Sequence, residues 1–168
     1  MQYNLRPATN EDRANIERLV FAVLEEHGLE ADPANTDSDL LDIQASYFAG
    51  GGTFDILMND SQQIVGSVGL CRVADSVCEL RKMYLAPETR GYGWGRRLLE
   101  HALARAAELG FHRVVLETAS VLHAAIALYE RYGFRRYTTE HLAARCDAAY
   151  YLDLQPDEDA NKMHRWPK

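Results

Sequence analysis

The chain has 168 residues, 47% of them hydrophobic and 26% charged, and a formal net charge of −7. That length carries one core without disulfide or metal support, and the acidic balance excludes nucleic acid and anionic membrane as principal partners, since both are held by basic surfaces that displace counterions. No run approaches the roughly eighteen apolar residues that a membrane span needs.

Tyr3 to Pro7 reads as a short opening strand, ended by the donor that proline lacks. Thr9 or Asn10 caps the first helix, with Glu11 and Asp12 in its first turn, where negative charge is favoured. Ile16, Leu19, Val20, Val23 and Leu24 keep one helical face until Gly28. An acidic loop over 30–39 leads to a second helix capped by Asp37 or Ser38, its face carrying Leu40, Ile43, Tyr47 and Phe48, and Gly50-Gly51-Gly52 stops it. Thr53–Met58, Ile64–Val73 and Cys78–Leu85 are β-rich runs joined by turn chemistry, an antiparallel meander closed by Pro87. Cys71 and Cys78 are placed to face each other across one of its hairpins. With Cys146 the cysteine count is odd, there is no C-x-x-C pair, no histidine at metal-ligand spacing and no secretory signal. The expectation is therefore reduced thiols, no metal and a cytoplasmic protein.

Arg90-Gly91-Tyr92-Gly93-Trp94-Gly95 comes next, then Arg96-Arg97 and an apolar-faced helix to Gly110. Alternate glycines before a helix let the backbone approach a ligand with its N–H groups outward. The unpaired amides and partial charge of roughly +0.5 at a helix start suit a phosphate, and the three arginines add full charge. The spacing does not fit G-x-G-x-x-G, and no G-K-S/T follows, so neither a dinucleotide fingerprint nor a P-loop is present. Arg113–Thr118 is an apolar strand, and strand, helix, strand in about thirty residues makes a crossover unit, so this strand lies parallel to Cys78–Leu85. A helix over 121–132 ends at Gly133, Phe134–Tyr137 opens the return, and Ala148–Leu154 is a last strand. Residues 155–168 are a polar tail beyond a single domain over 1–154.

Arg90, Gly93 and Gly95 resemble the Gln/Arg-x-x-Gly-x-Gly/Ala pyrophosphate loop of the Gcn5-related N-acetyltransferase (GNAT) family. Ala125-Ile126-Ala127-Leu128-Tyr129-Glu130-Arg131-Tyr132-Gly133-Phe134 resembles its A-x-x-L-Y-x-x-x-G-F segment. The order of elements is similar over residues 2–154. The resemblance implies an α+β fold: a mixed, mostly antiparallel sheet with a parallel pair splayed at its centre and helices on both faces. It implies acetyl-CoA as cosubstrate, its diphosphate on the amides of Arg90, Gly91, Tyr92, Gly93, Trp94, Gly95 and Arg96. The pantetheine arm then lies against backbone groups of Met83, Tyr84 and Leu85, whose amides polarise the thioester carbonyl.

By the same resemblance, Tyr129 donates a proton to the departing sulfur, which a phenol of pKa near ~10 can do. The plainer alternative is a core aromatic at helical spacing with Ala125 and Tyr132. Glu79 stands eleven residues before Arg90, the offset at which some members carry a glutamate base. The competing reading is a strand glutamate paired with Arg81 or Lys82. One departure stands out: many members have an asparagine where this chain has Leu122, so Ser120 or a backbone group is expected in its place. The acceptor is expected to be a small amine or amino acid. An acidic stretch from Glu25 to Asp42 favours a cation, whereas Arg81, Lys82, His141 and Arg145 offer a carboxylate site. A non-catalytic acyl-CoA sensor and a peptide or protein N-acetyltransferase are the alternatives. Exposed strand edges favour a homodimer.

Overall fold

The computed structural model describes residues 1–154; the polar tail expected over 155–168 lies outside the described residues. Among the described residues seven strands form one sheet: β1 (Asn4–Pro7), β2 (Thr53–Met58), β3 (Ile64–Ala74), β4 (Val77–Leu85), β5 (Arg113–Thr118), β6 (Arg135–Tyr137) and β7 (Ala148–Asp153). Their spatial order is β1-β2-β3-β4-β5-β7-β6, and only β4 and β5 run parallel. Helices α2 (Trp94–Glu108) and α3 (His123–Arg131) cover one face, where Leu98, Leu99 and Leu103 pack on Leu70, Leu80, Val114 and Leu116. Helix α1 (Arg13–Glu26) covers the other, setting Ile16, Val20 and Leu24 against Phe54 and Ile56. The expected mixed sheet with helices on both faces is what forms.

The expected second helix does not form as one helix. Ser38–Leu41 is a 3-10 turn, Asp42 is extended, and Gln44–Phe48 is a π-turn. The break has a local cause. The Asn10 side chain accepts the N–H groups of Ile43 and Gln44, and Asp42 accepts that of Ala45, so the chain is capped afresh in mid-segment. Leu40, Ile43 and Tyr47 are nonetheless fully buried, as their spacing requires. The cysteine expectation is also corrected: Cys71 opposes Glu79 and Cys78 opposes Arg72, so the two thiols are one register apart, on opposite faces, and free.

The feature that shapes the site is in β4. It pairs with β5 only over Val77–Glu79, opposite Arg113–Val115, and beyond that the two strands part. At the same level the β3–β4 ladder slips: Ser67 opposes Tyr84 and Gly69 opposes Arg81, so Lys82 and Met83 together face Val68. That is a β-bulge, and bulges bend their strand and add local twist. Lys82 takes φ 54°, a left-handed conformation that costs a long side chain energy. The Ser67 hydroxyl donates to the Lys82 carbonyl at 2.6 Å, which pins the bulge.

Candidate active site

The parted strands open a cavity of about 640 Å³, lined from β4 by Glu79 to Leu85, from β5 by Glu117 and Thr118, and from α3 by Leu122 to Ala125, Leu128 and Tyr129. The glycine loop stands at one end of it. Gly91 and Gly93 have φ of 82° and 84°, and a Cβ on either would meet nothing within 4 Å, so their requirement is for backbone conformation rather than space. Gly93 is the N-cap of α2, and no side chain caps that helix. Among the described residues, the amides from Gly91 to Arg96 donate to no acceptor. Six unpaired donors at a helix start are chemically suited to an anion.

The loop side chains divide. Arg90, Gly91, Gly93 and Gly95 line the cavity, whereas Tyr92, Trp94 and Arg96 do not. Tyr92 is 73% exposed. Trp94 turns away to stack edge-on against Tyr3 and lies under Arg97, and Arg96 sits 3.7 Å from Glu100. Arg90 does not offer a free charge: its guanidinium grips Glu26 at 2.7 and 2.8 Å and the Leu85 carbonyl at 2.9 and 3.1 Å. It ties the loop to α1 and to the end of β4, so the charge cluster expected from the three arginines is reduced to loop amides with two exposed side chains beside them.

Met83, the second residue of the bulge, and Tyr84 and Leu85 beyond it line the gap, as the position of the strand end requires. Tyr129 is 6% exposed and packs on Phe134, and its hydroxyl has no hydrogen-bond partner among the described residues. Burial, and secondarily the Tyr84 phenol, push its pKa well up, so it is a neutral hydroxyl at ordinary pH. Ser120 does not stand in for the missing asparagine, because its hydroxyl and amide are both taken by Asp147 at 2.6 and 2.7 Å. Leu122 gives α3 no side-chain cap, and the amides of His123, Ala124 and Ala125 have no acceptor among the described residues.

The far end of the cavity is held by ion pairs. Arg81 donates to Glu79 at 2.8 and 3.4 Å. Arg145, in the β6–β7 connection, forks onto Asp37 at 2.7 and 2.8 Å, and Lys82 lies 3.1 Å from both Asp37 and Asp39. The carboxylate site expected of Arg81, Lys82 and Arg145 is therefore not on offer, since each cation already has an acid, and His141 does not line the cavity. The acidic rim is likewise mostly spent: Glu26 holds Arg90, Asp32 and Asp42 accept amides of their own turns, and Asp37 and Asp39 pair as above. Sequence reasoning missed Glu117, which lines the cavity from β5 on the same sheet face as Glu79. Burial and the Glu79 charge raise its pKa. Its only sequence signal is a charge near the end of an apolar strand.

A sheet opened at its one parallel pair, with a bulged strand at the lip and unpaired helix-start amides at the mouth, defines the N-acyltransferase class of fold. The model of the acetyltransferase (GNAT) family matches residues 16–134. The N-acetyltransferase YjgM of Escherichia coli is 36% identical over 156 residues, covering 90% of either chain. A GNAT-family acetyltransferase of Staphylococcus aureus superposes with a TM-score of 0.85 at 22% identity, over 92% of this chain and 100% of that one. A phosphinothricin acetyltransferase of Sinorhizobium meliloti, solved in complex with AcCoA, superposes at 0.72 with 20% identity, over 92% and 89%. The chain belongs to the GNAT family of acetyltransferases. Among the described residues no helix is long and apolar enough to cross a membrane.

Proposed function

We propose that the protein transfers the acetyl group of acetyl-CoA directly to a primary amine of a small molecule. The observation that carries this is the convergence of three features on one cavity: the loop at its end whose amides 91–96 have no acceptor among the described residues, the backbone 83–85 at and beyond the bulge, and the Tyr129 hydroxyl, unpartnered among the described residues. AcCoA in the Sinorhizobium meliloti relative supports the choice of donor. The diphosphate lies on the loop amides, and the backbone of Met83 to Leu85 holds the arm and polarises the thioester carbonyl. Amides of 123–125 serve where Leu122 replaces the asparagine.

The amine must be neutral to attack. Its nitrogen adds to the thioester carbon, the C–S bond breaks, and the sulfur takes the Tyr129 proton. The surplus proton on the new amide nitrogen restores the phenol. Holding both reactants in one cleft supplies much of the rate, since it makes the encounter intramolecular. Glu79, expected as base, has both oxygens engaged by Arg81, so neither is free to meet an incoming amine.

Calorimetry with coenzyme A, followed by thiol release from acetyl-CoA across a panel of amines, tests the reading. Binding together with amine-dependent thiol release is expected. Binding without release from any amine or peptide turns the protein into an acyl-CoA sensor, and release with peptides alone makes it a protein acetyltransferase.

A further inference from the structure

We infer that Glu117 is the group that receives the acceptor's ammonium and takes its proton, and that the acceptor is a cationic amine with no carboxylate beside the nitrogen. This rests on the acetyltransferase reading and adds to it a residue and a substrate class.

Charge pairing across the acceptor end carries the argument. Arg81 is matched to Glu79, Arg145 to Asp37, and Lys82 to Asp37 and Asp39, so three cations meet four carboxylates once Glu117 is included. Glu117 is the carboxylate left without a cation among the described residues; it accepts only the Ala143 amide, at 3.3 Å. An arriving ammonium completes that set, whereas an amino-acid carboxylate has no free cation to meet and lies near Glu79 and Glu117. An anion left unpaired in such a site costs roughly 10- to 100-fold in preference.

Geometry gives Glu117 the base role over Glu79. The strands part just beyond the Glu79–Val115 pair, and Glu117 lies two residues further along β5, on the open side of the gap. The groups facing it are Glu79 and Arg81 from β4, Tyr137 from β6, and Cys146 with the Ala143 amide from the β6–β7 connection. Burial first and Glu79 second raise its pKa from the ordinary glutamate value, with the Ala143 amide and Arg81 opposing, and that direction suits a base. The balance closes. The ammonium gives one proton to the carboxylate, the freed lone pair attacks, the C–S bond breaks with the sulfur taking the Tyr129 proton, the surplus proton on the new amide nitrogen restores the phenol, and Glu117 returns its proton to solvent.

The test compares wild type with Glu117→Gln, Glu117→Asp and Glu79→Gln, using matched pairs of a monoamine and the α-amino acid of the same side chain. Wild type is expected to prefer the monoamine by about 10-fold or more. In Glu117→Gln, kcat falls about 10²-fold or more and the acid limb of its pH profile disappears; Glu117→Asp retains that limb, and so does Glu79→Gln. Titration of the monoamine into coenzyme A-saturated protein is expected to show affinity at least about 10-fold weaker in Glu117→Gln, with coenzyme A affinity unchanged. An unchanged limb and unchanged amine affinity in Glu117→Gln overturn the inference while leaving the acetyltransferase reading intact, and so does a preference for the amino acid. Absence of amine-dependent thiol release in wild type overturns the acetyltransferase reading, and the amine titration then decides the role of Glu117 in binding.

Discussion

Tyr129 separates chemistry from packing at the scale of one residue. Most buried tyrosines spend their hydroxyl on a structural hydrogen bond, so that removing it costs stability. This one has no partner among the described residues, while its ring is packed against Phe134. Tyr129→Phe should therefore leave the melting temperature and coenzyme A affinity where they are, and lower kcat by about 10²-fold, the ordinary worth of a positioned acid. Stopped assays against a thiol reagent, beside thermal melts, read both quantities. A Phe variant with full activity sinks the acid role; one that melts early shows that the hydroxyl had a structural partner. The residue was legible in the sequence because the Gly133-Phe134 pair fixes its register in a family segment. Glu117 was not, because its place in the cavity arises from where two strands separate, and nothing in Val114 to Thr118 announces that separation. Lys82 was equally opaque: a lysine at φ 54° leaves no mark on the sequence, and the bulge is held by a Ser67 hydroxyl fifteen residues away.

Among the elements, the glycine loop and α2 behave as one unit. Gly93 has open space around its missing Cβ and a φ of 84°, so an alanine there meets no clash and pays only the left-handed penalty, about 1–2 kcal/mol. Since the loop's amides are held by that conformation and by Arg90 rather than by bonds of their own, the penalty should fall on the loop. Gly93→Ala is expected to weaken coenzyme A binding about 10-fold, with the fold retained; calorimetry and circular dichroism check it. Unchanged affinity means that the cradle does not depend on the turn. The helices and strands were read to within a few residues because their apolar periods are long and their stops are glycines, Gly28, Gly110 and Gly133, all at positive φ. The failure at 38–48 has a plain cause: Leu40, Ile43 and Tyr47 have helical spacing, but a cap supplied by Asn10, more than thirty residues upstream, divides the segment. A long-range side-chain cap is invisible to a window of sequence.

On the scale of the molecule, the acceptor end is closed by a contact between segments 108 residues apart, Asp37 and Arg145, with Lys82 from the bulge beneath them. The Asp37 side chain is fully buried and the Lys82 and Arg145 side chains nearly so. Burial works to lift the Asp37 carboxyl, but the Arg145 hydrogen bonds, the Asp32 amide and the Lys82 charge outweigh it and hold the pKa below the ordinary value. A carboxylate depressed in the folded state contributes stability that is complete above its unfolded pKa of about 3.9 and is lost as pH falls through the folded value. Asp37→Asn leaves two buried cations short of an acid, a loss on the order of 3–5 kcal/mol near neutral pH. As pH falls below about 4 the unfolded chain takes up a proton at Asp37 that the folded state refuses until a lower pH, so the melting-temperature gap between the two proteins should narrow steadily toward the folded value. Asp12, whose carboxyl is also held low by Arg6, is present in both proteins, so its own acid loss cancels in the difference. Thermal melts of both from about pH 7 down to about pH 3 measure that difference. A gap that stays constant through the acid range shows that the charge on Asp37 is not what joins the two loops.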